Sequence, residues 1–307
     1  MSTTSRSVKP EIIASILLCP ISLAGMGMFI KAAKGVPESA LLLARFGVPA
    51  LIYWGLLCFK RYPFRTIRPH KHLLRAALGF LSVSCLFAAI ARIPLSTALC
   101  LSYTLPFFAY GIALLSGRDR LDARGLFVIG ALVGVALMTN PSAHADIAGI
   151  VFALASALSG AVALYEIKRI ARSEDSDAVL IMYFTISTIA LMLYILFFDK
   201  SAVQTMNTVP WGMLMLIGIS GLVYQVGLVT SLKEVSVSLL SMFLLFSVAI
   251  GFAGDRMLFK SPFTFTGTLG LVVLAVSILG FQYVEGRNAE REHGSRCVWR
   301  GVFADCV

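Results

Sequence analysis

The chain has 307 residues, of which 58% are hydrophobic and 14% charged, and its formal net charge is +10. Soluble domains carry about 25% charged residues, so this composition excludes an ordinary soluble protein. Apolar runs of the length that crosses about 30 Å of hydrocarbon recur along the whole chain. The sequence therefore predicts an all-α membrane protein that crosses the bilayer many times.

Ten transmembrane helices are predicted, and two short turns separate neighbours that hydropathy alone would fuse. Arg92 lies in the turn before the fourth span, and Lys233 lies in the turn before the ninth. In chain order the predicted spans are 12–30, 39–59, 73–91, 95–115, 121–139, 147–167, 178–198, 211–232, 235–252 and 263–284. An even number of spans brings both termini to the same side.

The basic residues indicate which side that is. With the N-terminus inside, most of the 26 lysines and arginines fall in cytoplasmic segments, including the run from Lys60 to Arg75. The positive-inside rule then predicts a multi-pass inner-membrane protein with both termini in the cytoplasm. This distribution accounts for the positive charge without nucleic-acid binding. A cleaved signal peptide is disfavoured, since the first apolar run continues to Ile30.

The second span contains one permanent charge, Arg45. It lies about 9 Å along the helix from Ser39 at 1.5 Å per residue, and so it is off-centre. Two interpretations stay open. In the structural interpretation, the side chain extends to the external interface or ties the span to neighbouring carbonyls. In the functional interpretation, it faces a cavity and binds an anionic group.

Span 4 has a polar face that marks candidate substrate-binding residues. Ser96, Cys100, Tyr103, Pro106 and Tyr110 are spaced by three or four residues, which puts them on one side of a helix. Such a face turns away from lipid, and Pro106 invites a kink. Packing between helices would explain the same pattern.

Other spans carry smaller polar faces. Gly218, Gly221 and Gln225 share a face of span 8. The remaining cavity candidates are single hydroxyls in spans 1, 6 and 9: Ser22, Ser159 and Ser238. In span 5, Gly130 and Gly134 predict close packing against another helix.

Ionisable groups suited to proton coupling or metal binding are scarce. Glu166 lies at the cytoplasmic end of span 6 beside Lys168 and Arg169, and the four histidines are expected in loops or in the tail. No intramembrane proton relay, metal site or cofactor is therefore expected. A membrane-embedded enzyme or a channel, the alternatives from other classes, would need clustered ligands or a charged pore.

The two halves of the chain resemble each other. Residues 39–46 (SALLLARF) align with 177–184 (DAVLIMYF), and Arg92 aligns with Lys233 at nearly the same offset. A repeat of five spans is odd, so the two copies must cross the membrane in opposite senses, as in many secondary transporters. The predicted organisation is a cytoplasmic N-terminus (1–11), two five-helix repeats (12–139 and 147–284) around a central cavity, and a disordered cytoplasmic tail (285–307).

Several local motifs sharpen this picture. They are an Arg-Phe pair in span 2, Ala163-x-Tyr165-x-x-x-Arg169 at the end of span 6, and the acidic-basic segments at 117–121 (GRDRL) and 254–257 (GDRM). Together they resemble EamA-type transporters of the drug/metabolite transporter superfamily. The resemblance covers residues 12–284, although Asp stands where the family's Gly-Glu-Arg-Leu signature has Glu. It implies that spans 1, 3, 4, 6, 8 and 9 surround the cavity.

The function expected from these features is secondary transport by alternating access. The hydroxyl-rich, aromatic cavity residues suit a small polar or amphipathic, amino-acid-like metabolite, moved by export. Uptake or exchange of a nucleotide-bearing metabolite such as S-adenosylmethionine is the alternative within the superfamily. The expected partners are a small-molecule substrate and the lipid bilayer, with the chain acting as a monomer or homodimer.

Overall fold

A computed structural model describes most of the chain, and every regular element in the described residues is an α-helix. The described residues are 10–33, 35–60, 69–90, 92–93, 98, 101–117, 122–139, 146–171, 174–199, 211–259 and 265–293. The helices are α1 (Pro10–Ala32), α2 (Glu38–Lys60), α3 (Pro69–Ile90), α4 (Leu105–Leu115), α5 (Ala123–Thr139), α6 (Ile147–Ala171), α7 (Ser176–Phe198), α8 (Trp211–Leu232), α9 (Val237–Leu244), α10 (Phe246–Phe259) and α11 (Phe265–His293).

Seven of these helices are long and apolar enough to cross a membrane: α1, α2, α3, α6, α7, α8 and α11. The other helices are shorter. Large apolar side chains lie exposed on the helix surfaces, among them Leu51, Leu126 and Phe197, and such surfaces suit contact with acyl chains. The expectation of an all-helical, multi-pass membrane protein is confirmed in this form.

The regions predicted as spans 4 and 9 are not continuous helices. Helix α4 begins only at Leu105, with Pro106 in its first turn, where a backbone N–H has no intrahelical acceptor and its absence costs little. Residues 101–102 are helical and residues 103–104 form a turn, so the helical path is interrupted just before Pro106. In the second half, α9 ends at Leu244 and α10 begins at Phe246. Ser96 and Cys100, predicted on the polar face of span 4, lie outside the described residues.

Two helices continue past the predicted ends of their spans. Helix α10 extends to Phe259 and α11 to His293, beyond the span ends predicted at 252 and 284. Residues 254–257 are helical, and the predicted disordered tail begins with nine residues of helix, 285–293. Hydropathy marks where lipid contact ends, whereas the backbone hydrogen bonds of a helix persist into polar sequence. The 117–121 motif lies mostly outside the described residues.

The helices pack in a small number of close pairs. Helix α1 packs on α8, α3 on α6, and α5 on α11, while α2 lies between α7 and α8. Helix α4 contacts α6 and α9, and α1 contacts α10. Phe46, Phe184 and Phe281 are fully buried at these contacts.

The glycines predicted to pack closely on span 5 do so. A Cβ atom added at Gly134 would lie 2.7 Å from the backbone nitrogen of Leu274 and 2.8 Å from the carbonyl oxygen of Gly270. At Gly130 it would lie 2.6 Å from the Oγ atom of Ser277. The backbones of α5 and α11 thus approach each other at a distance that only glycine permits.

Candidate functional site

Arg45 points into the protein and not to the membrane surface. Only 4% of the residue is exposed, and its guanidinium lies directly against Gly221 of α8. The Cζ atom is 5.6 Å from the ring centroid of Tyr224 and 5.9 Å from that of Phe46. The interpretation in which Arg45 extends to the external interface is therefore wrong. The predicted face of span 8 packs here, since Gly218 lies against Ala44 and Val48 of α2.

Arg75 is predicted at the start of span 3, among the basic residues of the cytoplasmic side, but it lies buried between the helices. The residue belongs to α3 and is 2% exposed. Its Cζ atom lies 3.5 Å from the ring centroid of Tyr183 on α7. The helix begins earlier than hydropathy indicated, at Pro69, so Arg75 lies more than a turn inside it.

The two arginines and three aromatic residues form one group, here called the arginine–aromatic cluster: Arg45, Arg75, Phe46, Tyr183 and Tyr224. The ring of Phe46 meets that of Tyr183 edge-on at 5.7 Å. The guanidinium of Arg75 lies over the ring of Tyr183, and that of Arg45 lies over the ring of Tyr224. Helices α2, α3, α7 and α8 thus each contribute at least one side chain to the cluster.

Neither arginine of the cluster forms a salt bridge with a carboxylate of the described residues. The Nε and Nη1 atoms of both side chains are buried without a hydrogen-bond partner. A buried, unpaired charge costs several kcal/mol, and a cation–π contact recovers only about 0.5–2 kcal/mol. The cluster therefore holds strong hydrogen-bond donors that the rest of the described chain does not satisfy.

The breaks in the two discontinuous helix regions meet each other. Tyr103 lies two residues before α4, and Ser247 lies in the first turn of α10. The hydroxyl of Ser247 donates a 3.4 Å hydrogen bond to the Tyr103 hydroxyl. Tyr103, one of the predicted cavity residues, thus lies at the turn that precedes α4.

The other predicted residues are dispersed. Ser22 and Ser159 donate to the carbonyls of Leu18 and Ala155 within their own helices, a pattern that satisfies a hydroxyl without any ligand. Gln225 and Ser238 are buried; Gln225 directly follows Tyr224 of the arginine–aromatic cluster.

Tyr110 belongs to a different group at one end of the helix bundle. Its hydroxyl donates to Asp122 Oδ1 at 3.2 Å. Arg124 bridges Asp122 and Glu285 of α11. Its Nε atom donates to Asp122 Oδ2 at 2.9 Å, and its Nη1 atom donates to Glu285 Oε2 at 2.5 Å. Asn288 also donates to Asp122, and Ser236 to Glu285. These residues, the polar end cluster, tie α4, α5, α9 and α11 together and explain why α11 continues past residue 284.

The electrostatics of the polar end cluster follow from these contacts. Burial by itself would raise the pKa of Asp122, but the hydrogen bonds and charge of Arg124 and the hydrogen bond of Asn288 outweigh it. The pKa of Asp122 therefore lies below its ordinary value, and the carboxylate is held in its ionised form.

Histidine placement also differs from the prediction. His70 and His72 belong to the first turn of α3 and not to a loop. The imidazole of His72 has no exposed surface, and its Nε2 atom lies 2.5 Å from Glu174 Oε2. His144 lies outside the described residues. Across the part of the chain that the structure describes, no three His, Cys, Asp or Glu side chains gather in a way that could hold a metal ion.

Sequence reasoning missed three members of the arginine–aromatic cluster: Arg75, Tyr183 and Tyr224. Arg75 is four residues from Gly79 along the same helix, and an arginine facing a glycine one turn later is a local signal for a buried guanidinium. The signal was masked by the preceding lysines and arginines. Tyr183 aligned with Arg45 between the repeats, but no single-sequence argument could bring it to Arg75.

Comparison with known proteins agrees with the motifs. Residues 147–282 match the EamA-like transporter family. The pseudopaline exporter CntI of Pseudomonas aeruginosa (strain UCBPP-PA14) is 22% identical over 228 residues, which are 73% of this chain and 79% of the exporter. A solved structure described only as "Crystal structure of protein" superposes with a TM-score of 0.74 at 15% identity, covering 93% of this chain and 100% of that one.

These similarities confirm the resemblance to EamA-type transporters. The matched family is described as transporters, and the matched relative is described as an exporter. The solved structure supports the helical fold alone.

Proposed function

We propose, from the match of residues 147–282 to the EamA-like transporter family, that this chain is a secondary transporter. It moves a small polar, amino-acid-like metabolite across the inner membrane by alternating access, in the direction of export. The protein that matches over most of its length is an exporter of pseudopaline, which favours export over uptake.

The observation that carries the mechanism is the pattern of helix pairing. Each helix of the first half can be matched with a counterpart in the second half, α1 with α6 and α3 with α8. Replacing each helix by its counterpart turns the packed pair α1–α8 into α6–α3, and both pairs are present in the structure. The further counterparts are α2 with α7, α4 with α9, and α5 with α11. The same replacement turns the pair α2–α8 into α7–α3, and it turns α2–α7, α4–α9 and α5–α11 into themselves. Two equivalent repeats produce such a pattern, and five spans in each repeat would give the two copies opposite orientations. Two equivalent halves can exchange conformations and expose a shared site to each side in turn.

The side chains follow the same exchange. Arg45 of α2 lies against Gly221 of α8, and Tyr183 of α7 lies against Gly79 of α3. Tyr183 is the residue that aligns with Arg45 in the second repeat. The discontinuous regions around Tyr103 and Leu245 also correspond. We infer that the cavity lies between these elements, with both termini in the cytoplasm.

Flux through proteoliposomes tests the proposal. The full chain is reconstituted into vesicles loaded with a mixture of radiolabelled amino acids and organic acids, and solute release is followed with and without an imposed pH gradient. Release of a subset of solutes above that of protein-free vesicles is expected. Release with no solute selectivity would indicate a channel, and release of none would contradict transport.

Two variants test whether the predicted polar residues bind the substrate. Tyr103→Phe removes the hydroxyl that meets Ser247, and Gln225→Ala removes a buried amide. Loss of one hydrogen bond is worth about 0.5–1.5 kcal/mol, so the KM of transport is expected to rise about 2- to 10-fold. Tyr194→Phe is the control, since Tyr194 is exposed on α7. An unchanged KM in both test variants would remove them from the site.

A further inference from the structure

We propose that Arg45 and Arg75 form a subsite that binds the carboxylate of an anionic substrate. The substrate class is then a small organic acid with net negative charge, and not a neutral zwitterion. This inference rests on the proposed transport function and adds the chemistry of the transported solute.

The side chain of Arg75 is directed away from the nearer end of its helix. Side chains on a helix lean toward its N-terminus, and the N-terminus of α3 is also the nearer end for a residue at position 75. An arginine at this place could therefore extend to water with little strain. Instead, its Nη1 atom lies 2.8 Å from where a Cβ of Gly79 would be, one turn deeper. The guanidinium is thus held in the interior.

Arg45 is accommodated in a similar way. A Cβ atom at Gly221 would overlap its Nη1 atom and lie 3.0 Å from its Cδ atom. Two glycines on α3 and α8 therefore leave space for the two guanidiniums. If the two arginines served helix packing alone, aliphatic side chains would fill the space of their guanidiniums equally well.

The hydrogen-bonding of the two guanidiniums is incomplete. Four buried nitrogen atoms, Nε and Nη1 of each arginine, have no acceptor. The rings of Phe46 and Tyr224 lie beside the Arg45 guanidinium, and the ring of Tyr183 lies beside that of Arg75. The protein thus presents two positive charges and several donors but, within the described residues, no anion.

A carboxylate of the substrate would supply the missing negative charge and hydrogen-bond acceptors. It carries a full negative charge and about four lone-pair sites, and it is matched in geometry to guanidinium donors. The rings of Phe46, Tyr183 and Tyr224 offer apolar surface to the carbon skeleton of an organic acid. A phosphate monoester shares the anionic chemistry, so the test must separate the two.

Ligand binding to the full chain in detergent is the direct experiment. The thermal unfolding midpoint is measured with glutarate, with its uncharged analogue glutaramide, and with glycerol 3-phosphate, at constant ionic strength. Glutarate is expected to raise the midpoint by several degrees, and glutaramide to leave it unchanged. Stabilisation by glycerol 3-phosphate and not by glutarate would overturn the carboxylate assignment, as would equal stabilisation by glutarate and glutaramide.

Arginine variants locate the site. Arg45→Gln and Arg75→Gln are each expected to weaken glutarate binding about 10- to 100-fold, the range for hydrogen bonds to a charged group. Arg45→Lys and Arg75→Lys keep the charge, fold more readily and are expected to weaken binding about 10-fold. Arg92→Gln removes the same charge from an exposed side chain (52%) and is expected to leave binding unchanged. Unaltered affinity in both the Gln and the Lys variants would overturn the proposal.

The outcomes also separate this inference from the proposed function. Glutarate binding that depends on the two arginines, without flux in proteoliposomes, would keep the subsite and contradict transport. Selective flux of neutral amino acids, with no effect of either arginine variant, would keep transport and contradict the subsite.

Discussion

Replacing Gly134 by alanine is expected to destabilise the protein by about 2–3 kcal/mol, the upper part of the range for overpacking a tight contact. The added Cβ would meet the backbone of Leu274 and Gly270 at 2.7–3.0 Å. Backbone atoms cannot rotate away, so α5 and α11 must separate. Thermal unfolding in detergent, followed by intrinsic fluorescence, measures the effect, and Gly134→Val is expected to prevent recovery of folded protein.

Gly130→Ala is the matched control, one turn away in the same helix. Its Cβ would meet only the hydroxyl of Ser277, a side chain that can adopt another rotamer. A loss below about 1 kcal/mol is expected. Equal destabilisation by the two alanine variants would contradict the backbone contact at Gly134.

Replacing Arg124 by alanine is expected to reduce stability by about 3 kcal/mol. The residue is 7% exposed, and its guanidinium lies between Asp122 and Glu285. Its loss leaves two carboxylates near each other without a positive charge between them. Removing one partner of a fully buried ion pair costs roughly 3–5 kcal/mol. The partial exposure of both acids places the expectation at the lower end. Chemical unfolding in mixed micelles gives the free energy.

Arg169→Ala is the control for that variant. The side chain of Arg169 is 63% exposed, and its ion pair among the described residues is with Glu166, at 3.7 Å, so a change within about 0.5 kcal/mol is expected. A large effect of Arg169→Ala, or none of Arg124→Ala, would show that the polar end cluster does not hold the bundle together.

The same cluster predicts a pH dependence. Because the folded-state pKa of Asp122 lies below its unfolded value of about 3.9, its contribution to stability is complete above that value. It is lost as the pH falls through the folded-state pKa. We expect the unfolding midpoint of the wild type to fall from pH 5 toward pH 3, and more steeply than that of Asp122→Asn. Parallel pH profiles would contradict this assignment.

Local patterns in the sequence predicted much of the fold. Hydropathy located the long helices because the preference of an apolar run for lipid depends on its own residues. Glycine spacing predicted the contact at Gly134, and the Gly218–Gly221–Gln225 face packs against α2 at its two glycines. Helix ends were less predictable, since α10 and α11 continue into polar segments.

The candidate site was harder to predict than the fold. Tyr103 and Tyr110 lie on the same predicted helical face, yet one meets Ser247 and the other meets Asp122. A break before Leu105 interrupts the helix between them, so the assumption of one continuous helix brought together residues that belong to two groups.

The sequence by itself determined that this protein is helical, embedded in the membrane and similar to EamA-type transporters, because these properties depend on composition, periodicity and short motifs. The tertiary structure decided which charges are buried and what surrounds them. In the sequence, Arg75 looks like one more basic residue of the cytoplasmic side. In the structure, Gly79 of α3 and Tyr183 of α7 pack against it. The physical reason is that the environment of a charge is set by neighbours distant in sequence, which only the packing of the helices specifies.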